Sequence, residues 1–207
     1  FSEIKKETLM KIRIYYEVFE QAYKYILPLL DQLKAKVKIE LIKRGKKYTE
    51  FSSGSLSAIH NLTTPDLLIT GCKDGKEYPL LIIEFSEAVT TEDHELQRSY
   101  GALSALLAKC MYLKISGNKQ TEKQHGGASF NPYIIPKIFL NAFNYCGYFI
   151  DEWKTTEDMV YTLRDNKNPG CPKMSSLVKE VVTNITGSFV EDYNNWFVNA
   201  ALKLKKS

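Results

Sequence analysis

The spacing of hydrophobic positions changes along the chain, and each change predicts an element. Ile12, Tyr16, Phe19, Tyr23 and Ile26 recur at helical intervals near the start. They predict helix from about Glu3 onward, kinked or ended at Pro28, with a second helical piece over Leu29 to Ile42. Leu56 to Leu62 fits no single period. From Pro65 the pattern becomes short apolar runs, Leu67-Leu68-Ile69-Thr70 and Leu80-Leu81-Ile82-Ile83, flanking the polar Lys73-Asp74-Gly75-Lys76-Glu77. That is the pattern of two adjacent strands joined by a tight Asp-Gly turn. Thr90-Thr91 followed by Glu92, Asp93 and Glu95 opens a helix, with hydroxyl caps and acids in the first turn. It runs to about Ala108, with Leu96, Leu103, Leu106 and Leu107 turned inward, and Cys110 to Ile115 returns as a strand. Strand, strand, helix, strand makes an α/β core.

Beyond the core the signals weaken. Gly117 to Ser129 is a polar loop containing His125-Gly126-Gly127, and Phe130 to Ile150 reads as a strand followed by a buried helix or a second strand. Asp165 to Pro172 is a loop rich in Gly, Pro and Asn, and Ser175 to Lys205 is an amphipathic helix. The expected organisation is one domain over 1–207: a helical N-terminal part over 1–45, an α/β core over about 56–150, and a helical C-terminal part over 151–207. The chain opens on Phe1 rather than Met, so it is read as a segment of a larger protein.

Composition narrows the function classes only slightly. The 207 residues carry 28 Lys and Arg against 24 Asp and Glu, a net charge of +4 that allows a nucleic-acid partner through local basic surface without requiring one. Four cysteines, Cys72, Cys110, Cys146 and Cys171, show no C-x-x-C spacing and no zinc-type cluster, which predicts free thiols in a reducing, cytoplasmic setting. No apolar stretch is long and clean enough to span a membrane, and no signal peptide is visible.

The candidate chemistry lies on the hairpin. Asp66 starts one strand and Glu84 ends the next, so pairing brings an acid from each to one sheet edge, where two carboxylates can hold a divalent cation. Residues 84 and 86 share a strand face, so Glu84 and Ser86 point together while Phe85 packs behind them and offers its backbone carbonyl as a third ligand. The basic loop Lys43-Arg44-Gly45-Lys46-Lys47 and Arg98 on the following helix are candidate phosphate contacts, and the Lys-rich tail is another. His94 opens a helix among acids and is expected to be solvent-exposed.

Pro65-Asp66 followed by Glu84-Phe85-Ser86 resembles the PD-(D/E)xK phosphodiesterase superfamily, whose best-known members are restriction endonucleases. The resemblance covers roughly Pro65 to Ser116. It implies a restriction-endonuclease-like fold, a mixed β-sheet core flanked by α-helices, and a magnesium-dependent endodeoxyribonuclease acting on duplex or branched DNA, with manganese able to substitute. Asp66 and Glu84 would bind the metal with the Phe85 carbonyl, Glu20 or Glu17 on the preceding helix would complete the shell, and a homodimer would offer one site per strand. Ser86 stands where the superfamily usually carries lysine. Lys73, Lys109 and Lys114 are the candidates to replace it, and loss of catalysis with nucleic-acid binding or an assembly role retained is the alternative. Gln97 and Tyr100 resemble a substrate-side pair of some nucleases, one residue short of the usual spacing. An RNA-directed nuclease is a third option.

Overall fold

The structure, a computed structural model, describes residues 11–35, 37–45, 54–73, 75–85, 92–116, 133–152 and 171–187. Among the described residues six strands form one mixed sheet. They are β1 (Lys11–Tyr16), β2 (Lys38–Lys43), β3 (Leu67–Lys73), β4 (Lys76–Phe85), β5 (Met111–Ser116) and β6 (Tyr148–Glu152), in spatial order β2-β1-β3-β4-β5-β6. β3 runs antiparallel to both β1 and β4, whereas the pairs β1–β2, β4–β5 and β5–β6 are parallel. The helices are α1 (Gly54–Leu62), α2 (Glu92–Ala108), α3 (Ile134–Phe143) and α4 (Pro172–Gly187), with a π-helix over Gln21–Ile26 and a 3-10 helix over Leu27–Leu33.

The expected α/β class is observed, with helices on both faces of a mixed sheet. On one face, Ile12, Ile14, Leu67, Ile69, Leu81, Ile83 and Phe85 pack under the π- and 3-10 helices and α4. On the other, Leu68, Ile82, Tyr112, Tyr148 and Ile150 pack under α1, α2 and α3. Burial on both faces explains why the central strands read as unbroken apolar runs rather than alternating ones.

The hairpin forms as expected, with β3 and β4 turning at Gly75, whose φ of +75° suits a residue without a side chain. Leu80 is an extra residue between the pairs Ile69↔Leu81 and Thr70↔Pro79. This bulge explains how Pro79, which cannot donate to a ladder, is tolerated inside a central strand.

The N-terminal part corrects the expectation of helix over 1–45. Lys11–Tyr16 and Lys38–Lys43 are strands. Ile12 and Ile14 enter one core while Tyr15 enters the other, a period of two. The interval of four between Ile12 and Tyr16 suits either period, and pairing of β1 with β2 and β3 selects the strand. Pro28 lies in the first turn of the 3-10 helix, where its missing N–H costs nothing. The described part of Phe130 to Ile150 is helix then strand, α3 then β6, where a strand followed by a helix or a second strand was expected. Residues 117–129, 153–170 and 188–207, with Ser86, Lys46 and Lys47, lie outside the described residues.

Candidate metal and phosphate site

The site is assembled at one end of the sheet, where β4 and β5 finish and β3 begins. In an open α/β sheet this is where ligands are met, beyond the carboxyl ends of parallel strands. Asp66 immediately precedes β3, and Glu84 is the penultimate residue of β4. The hairpin brings them together: Asp66 Oδ2 accepts a 2.7 Å hydrogen bond from the Phe85 amide, and the Asp66 and Glu84 carboxyl groups stand within hydrogen-bonding reach of each other. In an extended strand the N–H and C=O of one residue point to the same side, so the Phe85 carbonyl also faces the Asp66 strand.

Electrostatics mark Glu84 as the strained member of the pair. Its carboxyl is held well above the ordinary carboxylate range, first by burial and then by the adjacent Asp66, while a hydrogen bond from Thr63 and the positive charge of Arg98 act in the opposite direction. Thr63 Oγ1 donates to Glu84 Oε1 at 3.3 Å. Like charges meeting at a half-buried position are what a bound cation relieves.

The segment leading to Asp66 is clamped. The Arg44 guanidinium donates to the carbonyls of Thr64 and Pro65, the latter at 2.9 Å, and pairs with Glu17 at 2.8 Å. The Glu17 amide donates to the Asp66 carbonyl at 2.9 Å. Thr64 has a φ of +42°, a left-handed conformation that costs a non-glycine residue about 1–3 kcal/mol and that the Arg44 contact helps hold.

Lys114 completes the constellation. It is the register partner of Glu84 on the adjacent parallel strand, so both side chains leave the sheet on the same face. It is fully buried, and burial pushes its ammonium down to about 8 while the Glu84 charge pulls it back up. Tyr112 lies two residues before it on the same strand, packed edge-on against Tyr148 at 4.8 Å and donating its hydroxyl to the Arg98 carbonyl at 2.9 Å. Both phenols are pushed up by burial foremost, with the Glu84 charge contributing.

The sequence-derived residues therefore separate. Asp66, Glu84 and Phe85 are brought together. Of the three lysines named as replacements, Lys114 shares the face of Glu84, and Lys109 is exposed at the end of α2 with a left-handed φ of +56°. Arg98 is near enough to bias Glu84. Glu20 corrects the expectation of a further ligand, because it is exposed ahead of the π-helix, which covers the Phe85 face of the sheet rather than the Glu84 face. Glu17, its alternative, pairs with Arg44. Arg44, named as a phosphate contact, has its guanidinium bonded to Glu17 and to the turn before Asp66. Lys43 is exposed at the end of β2.

Thr63 and the bracing role of Arg44 escaped sequence reasoning, and both depend on closure of the fold. Lys114 did carry a signal: it is the lone cation inside Met111-Tyr112-Leu113-Lys114-Ile115, and lysine is almost never fully buried without a specific reason.

A second acid, Glu77, is buried but fully engaged, accepting from Thr70 at 2.6 Å, Arg13 at 2.7 Å and Tyr15 at 2.8 Å, while Arg13 also pairs with Glu40 at 3.0 Å. Among the described residues no group of three or more His, Cys, Asp or Glu side chains is gathered as a cage for an ion. The protein donors at the Asp66 site are thus a carboxylate pair and a carbonyl. That set suits magnesium, which takes hard oxygen ligands, uses one or two carboxylates and keeps several waters, and does not suit zinc. None of the four cysteines is joined in a disulfide, and no helix among the described residues is long and apolar enough to cross a membrane.

No protein-family model matches the chain, and neither the curated proteins nor the solved structures yield a match.

Proposed function

We propose that this chain is a magnesium-dependent nuclease that hydrolyses phosphodiester bonds in DNA, with a restriction-endonuclease-like arrangement of its core. The observation that carries this reading is the meeting of Asp66 and Glu84 on adjacent strands with Lys114 in register beside them. Asp66, Glu84 and the Phe85 carbonyl would hold the ion, and manganese would fit the same oxygens. When bound, such an ion activates water and neutralises charge developing on the phosphate.

The protein's own residues supply the rest. Asp66 is fixed by the Phe85 amide and by the Arg44 clamp on its turn, so its carboxylate is pre-positioned. Thr63 orients one oxygen of Glu84. Lys114 supplies the positive charge that Ser86 cannot, from the neighbouring strand rather than two residues along the same one. Arg98 adds positive charge on the side of α2, and Lys43 is available to a flanking phosphate.

The test is cleavage of plasmid and oligonucleotide DNA in magnesium or manganese by the wild-type chain and by Asp66→Ala. Metal-dependent cleavage lost in Asp66→Ala with DNA binding intact supports the assignment. Binding without cleavage in any divalent cation would make the chain a non-catalytic module on this fold, and cleavage of RNA alone would move the substrate.

A further inference from the structure

Two aromatic rings are stacked in the open at the same end of the sheet, with a third, half-buried ring against them. Phe19 and Tyr23 lie with ring centroids 5.2 Å apart and planes inclined by 18°, and Tyr16 meets Phe19 edge-on at 5.6 Å. Phe19 is 45% exposed and Tyr23 52%. A large apolar ring gains most by burial, so two rings stacked on each other and left in water need a reason. Their position supplies one. Tyr16 ends β1 opposite Leu67, the first residue of β3, and the next amide, Glu17, donates to the Asp66 carbonyl. The aromatic segment therefore leaves the sheet beside Asp66 and turns onto the Phe85 face. Lys43 is the register partner of Tyr16 on β2, so an exposed cation emerges on the same face as the first ring.

The geometry points to a base-stacking platform for single-stranded nucleic acid. Resting on the nuclease reading, it narrows the substrate to a single strand, or to the unpaired arm of a branched molecule, whose backbone crosses the strand ends at Asp66 and Glu84. Bases of a duplex are stacked on each other and cannot lie on a protein ring, whereas every unpaired base offers a face to Phe19 or Tyr23, with Lys43 against the adjoining phosphate.

Fluorescence anisotropy of a labelled oligothymidylate and of a duplex of equal length tests this, in EDTA so that nothing is cut. Removing one ring, in Phe19→Ala or Tyr23→Ala, is expected to weaken single-strand binding roughly tenfold and leave duplex binding unchanged. Phe19→Tyr and Tyr23→Phe, which keep a ring, are expected to bind as wild type. Both positions are exposed, so the variants are expected to fold, which circular dichroism checks. Single-strand affinity unchanged by ring removal, or single-strand and duplex affinity falling together, would overturn the platform. So would loss of self-association in Phe19→Ala with single-strand binding intact, which would make the rings a contact between copies. If the platform fails while magnesium-dependent cleavage persists, the nuclease assignment stands without it. If the wild type binds neither oligonucleotide, both fall.

Discussion

Glu84 and Lys114 are register partners on adjacent parallel strands, and the ammonium of one lies within the field of the carboxyl of the other. This pairing places a cation beside the carboxylate pair without a lysine at position 86. Lys114→Met, close in volume and uncharged, is expected to fold and to lose cleavage by about 10²-fold or more, because a charge aimed at the transition state in a buried site is worth several kcal/mol. Lys114→Arg is expected to retain part of the rate.

The same lysine predicts an alkaline limit. Its ammonium is pushed down to about 8, so the charged form is lost as pH rises through that value. The cleavage rate is expected to fall above about pH 8 in the wild type and to keep rising further in Lys114→Arg, measured at fixed magnesium. A flat profile through pH 9.5 would remove Lys114 from the reaction.

Glu84 predicts a conflict between stability and function. Its folded carboxyl titrates above its unfolded value of 4.5, so the folded state binds more protons in that window. Stability contributed by this group therefore falls as pH rises past 4.5, and the deficit is in place at neutral pH. Glu84→Gln is expected to melt higher than wild type at pH 7 in EDTA. A relief on the order of 1 kcal/mol corresponds to about 2–4 °C for a chain of this size. Magnesium should raise the wild-type melting temperature and leave that of Glu84→Gln unchanged.

His60 predicts the acid side. It is buried on α1, and desolvation foremost, with the Arg44 charge behind it, pushes its imidazole from 6.5 down to about 4. The unfolded chain binds the proton first as pH falls, so stability is lost from about 6.5 toward 4. Between pH 7 and 5 this one group should remove on the order of 1–2 kcal/mol, read as a lower urea midpoint. His60→Gln should show a shallower loss over the same interval.

Gly101 and Tyr112 predict a packing effect. A Cβ at position 101 would stand 2.4 Å from Tyr112 Cε2. Gly101→Ala is expected to cost about 1–3 kcal/mol by overpacking. The double variant Gly101→Ala/Tyr112→Leu should recover part of the loss relative to the sum of the two single changes, the sign of direct coupling.

How much of this was legible depended on whether the information was local. The β3–β4 hairpin was readable because its turn needs Asp-Gly chemistry and its strands are short apolar runs, and the convergence of Asp66 with Glu84 followed from pairing alone. β1 was misread because Ile12 and Tyr16, four apart, satisfy either period, and only the neighbouring strands decide. Lys114 stood out as a cation in an apolar run, but its partner could not be named until β5 was registered against β4. Arg44 and Thr63 act on the site from loops whose approach depends on the closed fold, and no spacing announces them.

The extra residue Leu80 has an outsized effect on the chemistry of the sheet. Glu77 and Glu84 are an odd number of positions apart, so in a regular strand they would emerge on opposite faces. The bulge resets the alternation and sends both to the same one. The first acid is then neutralised by Arg13, Tyr15 and Thr70, and the second is left to meet Asp66. Deleting this single leucine would leave the two carboxylates an even six positions apart, so a regular strand would keep both on the same face; the loss would be a buried core side chain and the irregularity that lets Pro79 sit inside the ladder.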